Sequence, residues 1–188
     1  MKEKNLFEIV IVGRGGQGAK TASQFIAESA MAGGKHIQAF PEYGPERAGA
    51  PMKAYARISD KAITTYAPVV NPDAVIVIDE TLLSTVNVTQ GLGKDGILIV
   101  NTSKGAEEIK KELNFKGNVH TIDATKISID AVGKNLPNTP MLGAFVKLTK
   151  VIPLDNVKEC IRNKFLKKLG EDKTNATIKG VDLAYEAA

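Results

Sequence analysis

The stretch Phe7-Glu8-Ile9-Val10-Ile11-Val12-Gly13-Arg14-Gly15-Gly16-Gln17-Gly18 decides the fold. Its first half is an apolar, β-branched run of strand length. Its second half is dense in glycine and opens a segment of helical period from Ala19 to Met31. A glycine-rich strand-to-helix turn lets the backbone approach a ligand closely, and the next helix aims its free amides at any anion placed there. Gly13, Gly15 and Gly18 satisfy G-x-G-x-x-G, the spacing of a dinucleotide fingerprint. A structural role, close packing of helix on strand, accounts for that spacing equally well.

Working outward, short apolar runs alternate with helical segments, the pattern of an α/β protein with a mostly parallel sheet. Strands are expected at Phe7–Val12, His36–Phe40, Ala74–Ile78, Ile97–Val100 and Val119–Asp123. Helices are expected at Lys20–Ala32, around Leu82–Val86, and at Lys104–Leu113, Met141–Thr149, Leu154–Lys168 and Lys173–Ala187. Asp73-Ala74-Val75-Ile76-Val77-Ile78-Asp79 is apolar throughout with an acid at each end, as a strand buried on both faces should be. Met52–Ile58 breaks the alternation, with period two and Lys53, Tyr55 and Arg57 at the odd positions. A Ser59-Asp60-Lys61 turn then leads into Ala62–Thr65. The expectation is a three-layer α/β/α, Rossmann-like mixed sheet with an inserted β-hairpin, in one domain spanning residues 1–188.

Composition narrows the function. The chain has 188 residues, 43% hydrophobic and 24% charged, enough to bury a real core without staples. The net charge of +4 is modest, and its basic residues are not interleaved with aromatics, so no nucleic-acid partner is expected. The single cysteine, Cys160, excludes an intrachain disulfide framework and any cysteine-rich cluster held by this chain alone. A charged start and the lack of any ~20-residue apolar run lead to the expectation of a cytoplasmic protein with no membrane partner.

Two loops join the glycine turn as candidate sites. Pro41–Pro51 holds three Pro, two Gly, two Glu and one Arg, a density that suits a shaped loop. In a doubly wound sheet it would lie beside the glycine turn, with Tyr43, Gly44, Glu46 and Arg47 either presented to a ligand or packed structurally. Asn135–Ala144 feeds a helix, and Asn138 or Thr139 could cap it, with Pro140 in its first turn. An NAD reading needs Asp or Glu at the end of the second strand, where Gln38-Ala39-Phe40 stands instead. Arg14 and Arg47 suit phosphate or carboxylate, or else pair on the surface with Glu42 or Glu46. His36 and His120, both in expected strands, read as structural. Lys94-Asp95-Gly96 is too incomplete for a thiamine diphosphate motif, and no Walker, zinc-protease or serine-hydrolase pattern occurs.

Taken together, four ordered motifs resemble the gamma subunit of 2-oxoacid:ferredoxin oxidoreductases, the pyruvate enzyme most of all. They are Gly13-Arg14-Gly15-Gly16-Gln17-Gly18, Tyr43-Gly44-Pro45-Glu46-Arg47-x-Gly49, the Asp73–Asp79 strand, and Asn138-Thr139-x-Met141-Leu142-Gly143-Ala144. The resemblance spans essentially the whole chain. Ala48 departs from it, standing where a second Gly or Arg is common. The resemblance implies a complex that oxidatively decarboxylates a 2-oxoacid with coenzyme A and passes electrons to ferredoxin or flavodoxin. It places thiamine diphosphate and iron–sulfur clusters in the alpha, beta and delta partner subunits. It also implies that the residues contacting coenzyme A or those partners are Gly13, Arg14, Gly15, Gly16, Gln17, Gly18, Tyr43, Gly44, Glu46, Arg47 and Asn138. The alternative is a stand-alone Rossmann-like nucleotide-binding module or NAD(P)-dependent enzyme.

Overall fold

Alternating Ile and Val place β1 (Leu6–Arg14) at the centre of the molecule: Ile9 and Ile11 join one core cluster, Val10 and Val12 another. β-branched residues suit such a strand because it is stiff and packed on both faces. The computed structural model describes residues 6–42 and 49–188. After β1 come α1 (Ala19–Ala32), β2 (His36–Pro41), β3 (Pro51–Ser59) and β4 (Ala74–Val77). Then follow β5 (Ile97–Asn101), α2 (Ala106–Glu112), β6 (Asn118–Ile122) and α3 (Ala124–Val132). The chain continues through α4 (Pro140–Thr149), α5 (Leu154–Leu169) and α6 (Glu171–Ala187). The strands form one six-stranded sheet in the order β2-β3-β1-β4-β5-β6. β3 runs antiparallel to both its neighbours, and the β1–β4, β4–β5 and β5–β6 pairings are parallel.

The mixed α/β sheet is as expected, but the hairpin is built differently. β3 pairs with β2 on one side and β1 on the other, whereas Ala62–Thr65 is not a strand. Arg57 explains the difference. It is 1% exposed, donates from Nε to Glu8 Oε1 at 2.9 Å and from Nη1 to Gln38 Oε1 at 2.8 Å, and reaches the Ala67 carbonyl from Nη2 at 2.6 Å. Gln38 Nε2 donates to the Thr65 carbonyl at 3.2 Å. Side chains of β2 and β3 therefore satisfy carbonyls of the 60–72 segment that a second hairpin arm would have paired through its backbone.

Two helical assignments also shift. The helix expected at Leu82–Val86 is a 3-10 turn at Glu80–Leu82, started by Asp79, whose side chain accepts from the Thr81 amide. α3 was not foreseen. Asp123 caps its start by accepting from the Lys126 amide, and Gly133 ends it in the left-handed region at φ 73°. That Asp-to-Gly pair was the available signal.

One face of the sheet packs on α1 and α3 to α6, through Phe25, Leu142, Phe145, Ile161 and Val181. The other packs on α2 and the 82–92 segment, through Leu82, Val88 and Ile109. Gly143 sets the spacing of α4 and α6. A Cβ there would lie 2.1 Å from the Val181 carbonyl oxygen and 3.0 Å from the Tyr185 amide nitrogen. Neither backbone atom can move without shifting a helix. Gly143→Ala is therefore expected to destabilise the fold by about 1–3 kcal/mol, despite the better helix propensity of Ala, as read by urea unfolding. Unchanged stability would refute the close contact.

Candidate functional site: the crevice at the ends of β1 and β4

β1 hands the chain through α1 towards β2, while β4 hands it across the opposite face towards β5. Neighbouring parallel strands whose connections leave in opposite directions open a crevice at their carboxyl ends, where open α/β sheets bind ligands. Here the crevice lies between the glycine turn and Asp79-Glu80-Thr81, and widens to about 290 Å3 beside Asn101, Thr125 and Asn135.

The turn is held by a clasp centred on Asp79. The Arg14 amide donates to Gln17 Oε1 at 2.7 Å, and Gln17 Nε2 donates to Asp79 Oδ2 at 2.7 Å. Arg14 Nε donates to the same oxygen at 3.2 Å, Nη1 to the Gly49 carbonyl at 3.1 Å, and Nη2 to Thr81 Oγ1 at 2.7 Å. The Thr81 hydroxyl and amide donate to Asp79 Oδ1 at 2.6 and 3.0 Å. Burial alone would raise the Asp79 carboxyl, but the bonds from Thr81 and Gln17 and the Arg14 charge together hold it below its ordinary value. In the sequence alone, Asp79 reads only as the end of a strand. The available signal was a lone acid at the end of the strand beside a turn carrying Arg14 and Gln17.

Arg14 thus pairs with Asp79 rather than with Glu42, and three of the five donors of a guanidinium are engaged within the chain. Gly15 and Gly49 complete the clasp: the Gly15 amide donates to Ala50 at 2.9 Å and the Gly49 amide to Gly15 at 3.2 Å. Gly16 and Gly18 have φ of 96° and 83°, so the turn depends on glycine at both positions. Gly13, at the end of β1, lies in ordinary contact distance of Ala19 and Ile78.

Gly18 is the N-cap of α1, which has no side-chain cap and no acid in its first turn. A helix end of this kind favours an anion. Asn138 crosses directly over it: a Cβ on Gly18 would come within 2.6 Å of Asn138 Nδ2. The N-cap of α4 is Thr139, without a side-chain capping bond, and Pro140 occupies the first turn. Asn138 therefore serves the α1 end of the crevice rather than capping α4. Tyr43, Gly44, Glu46 and Arg47 lie outside the described residues. Just before them in sequence, Glu42 accepts from the Tyr55 hydroxyl at 2.7 Å, and burial together with the Glu42 contact pushes the phenol well up.

Other candidates stand apart from the crevice. His36 lies at the start of β2, and burial lowers the His120 pKa in β6. Cys160 is half-buried on α5, and burial pushes its thiol up. Lys94 and Asp95 are exposed in the turn before β5. Among the described residues, no three His, Cys, Asp or Glu side chains gather as a metal site, and no helix is long and apolar enough to cross a membrane. The NAD reading meets a geometric obstacle. β3 separates β2 from β1, so the end of β2 stands two strand spacings, roughly 10 Å, from the glycine turn.

Because the folded Asp79 carboxyl titrates below its ordinary value of 3.8, the clasp contributes fully above that pH and is lost as pH falls through the lower, folded value. Asp79→Asn turns an amide towards the Arg14 and Gln17 donors. The expected result is a loss of about 1–3 kcal/mol at neutral pH, with a flatter stability profile below about pH 4. Denaturant melts across pH check both. A variant as stable as the parent would remove Asp79 from the centre of the clasp.

Comparison with known proteins gives a consistent result. The family model for pyruvate ferredoxin/flavodoxin oxidoreductase matches residues 8–187. Pyruvate synthase subunit PorC of Thermotoga maritima is 48% identical, over 97% of this chain and 95% of its own length. The pyruvate/ketoisovalerate oxidoreductases common subunit gamma of Thermococcus kodakarensis is 45% identical, over 91% and 93%. The crystal structure of the Thermotoga maritima PORC subunit superposes with a TM-score of 0.88 at 45% identity, covering 97% of both chains. The chain belongs to the pyruvate ferredoxin/flavodoxin oxidoreductase family, as its gamma-type subunit.

Proposed function

We propose that this chain assembles with alpha, beta and delta subunits into a cytoplasmic complex that oxidatively decarboxylates pyruvate with coenzyme A. The products are acetyl-CoA and CO2, with ferredoxin or flavodoxin taking the electrons. The observation that carries this reading is the match, along nearly the full length of both chains, to subunits named for pyruvate synthase. One cysteine in the whole chain cannot supply the four thiolates of a cluster, so in this reading the iron–sulfur clusters belong to the partners, and the family resemblance assigns thiamine diphosphate to them as well.

In this reading the chain contributes binding and positioning. The uncapped α1 terminus, with Gly15, Gly16, Gly18 and Asn138 around it, offers amides to a coenzyme A phosphate or a partner carboxylate. The Asp79 clasp keeps the turn in one conformation without a ligand, so little ordering entropy is lost on binding. The family resemblance assigns Tyr43, Gly44, Glu46 and Arg47 to the same junction. Arg47 supplies the cation that Arg14, held by Asp79, supplies only in part.

Co-expression with the three partner subunits tests the assignment. The chain should co-purify with the brown, cluster-bearing subunits and should show no turnover alone. Titration with NAD or NADP should give no affinity tighter than roughly millimolar, about 4 kcal/mol. In the reconstituted enzyme, Arg47→Ala should raise the apparent KM for coenzyme A or weaken assembly by on the order of tenfold, the size of a charge-assisted contact. Micromolar NAD binding, or pyruvate turnover by the isolated chain, would overturn the assignment.

A further inference from the structure

The loop between α3 and α4 supplies part of the crevice wall, through Asn135 and Pro137. It runs from the exposed residues 133–136 into the buried Pro137, Asn138 and Thr139. Where it turns inward it is pinned by Ser128 of α3, a side chain with no exposure at all. Ser128 Oγ donates to the Lys134 carbonyl at 2.7 Å and accepts from the Leu136 amide at 3.0 Å. A hydroxyl inside a helix ordinarily turns back on its own helix. Thr149, Thr174 and Thr177 do so here, each donating to the carbonyl four residues earlier. Ser128 instead spends both its bonds on the loop.

The pin acts on Asn138 through a short, stiff piece of chain. Leu136 precedes a proline, which restricts its backbone, and Pro137 has its own φ fixed by the ring. On the far side the Met141 amide donates to the Pro137 carbonyl at 3.0 Å. Asn138 itself is 9% exposed, and its side chain makes no hydrogen bond with any described residue. Its amide lies against the start of α1, since a Cβ on Gly18 would fall 2.6 Å from Nδ2. A nearly buried amide with unused donors, beside the free amides of an uncapped helix, is a place where an acceptor is missing.

We propose that Ser128 is a positioning residue for coenzyme A: by pinning the loop at Lys134 and Leu136, it holds the Asn138 amide where that amide and the α1 terminus together donate to an anionic group of the coenzyme. The proposal rests on the functional reading above and adds to it a residue that never touches the ligand. Without the hydroxyl, the Leu136 amide keeps only its 3.0 Å bond to the Lys134 carbonyl. The loop then has more conformations to give up when the coenzyme arrives, a cost that falls on binding and not on the chemical step.

The test uses the reconstituted complex. Asn138→Ala should raise the KM for coenzyme A on the order of tenfold, the loss of a bond to a charged group. Ser128→Ala should raise it roughly fivefold through lost preorganisation, with kcat and the KM for pyruvate at parental values. Amide exchange at Leu136 should quicken in Ser128→Ala while assembly is unchanged. The double variant should be no worse than Asn138→Ala alone, because Ser128 acts only through that side chain. Ser29→Ala, which removes an equally buried hydroxyl that has no partner to lose, should keep the parental KM. A parental KM for coenzyme A in Ser128→Ala, unchanged exchange at Leu136, loss of assembly, or full additivity in the double variant would each overturn the positioning role. A parental KM in Asn138→Ala would instead remove Asn138 from the coenzyme site, and the functional reading of that site with it.

Discussion

The arrangement of the sheet depends on one buried cation. Arg57 sits near the end of β3, nearly inaccessible, and holds Glu8 of β1, Gln38 of β2 and the return segment at Ala67. A charge in that position is tolerable only with its partners in place, and removing one member of such a pair typically costs about 3–5 kcal/mol. The interaction therefore acts as a register lock: a slip of β3 by one residue would turn the guanidinium to the other face and leave Glu8 unanswered. With β3 fixed antiparallel between β1 and β2, the second strand cannot sit where a dinucleotide domain needs it.

That displacement separates the shared features of this fold from its function. The glycine turn, the helix terminus and the switch-point crevice are common property of doubly wound sheets. What differs is their surroundings. The ribose-binding acid is missing from the end of β2, and the turn is locked from within by Asp79, Gln17 and Thr81. In the proposed function, a turn held rigid in this way suits a subunit that positions a reactant for chemistry performed by other chains.

The α/β class, the expected strands and the long helices were legible because apolar periodicity is a local property. β1, α5 and α6 illustrate this, since each can be read from one stretch of chain. The destination of the 60–72 segment was not legible, because it follows from Arg57 reaching three elements at once. The same limit applied to the site. Gly13 to Gly18 could be named from spacing, but the Arg14–Asp79 pairing joins residues 65 positions apart. Asn138 was visible as a loop residue ahead of a helix, yet its place over Gly18 depends on where the loop before α4 crosses the start of α1. The α3 helix was missed although both its caps, Asp123 and Gly133, stood in plain sequence.

The position of β2 at the rim of the sheet bears on how such a chain survives before it meets its partners. An open strand edge is a template on which any other extended chain can build. β2 is only six residues long, and it ends in Pro41, which has no amide to donate. A subunit synthesised apart from its complex must stay soluble while waiting. A brief edge closed by proline limits the runaway sheet growth that would otherwise compete with correct assembly.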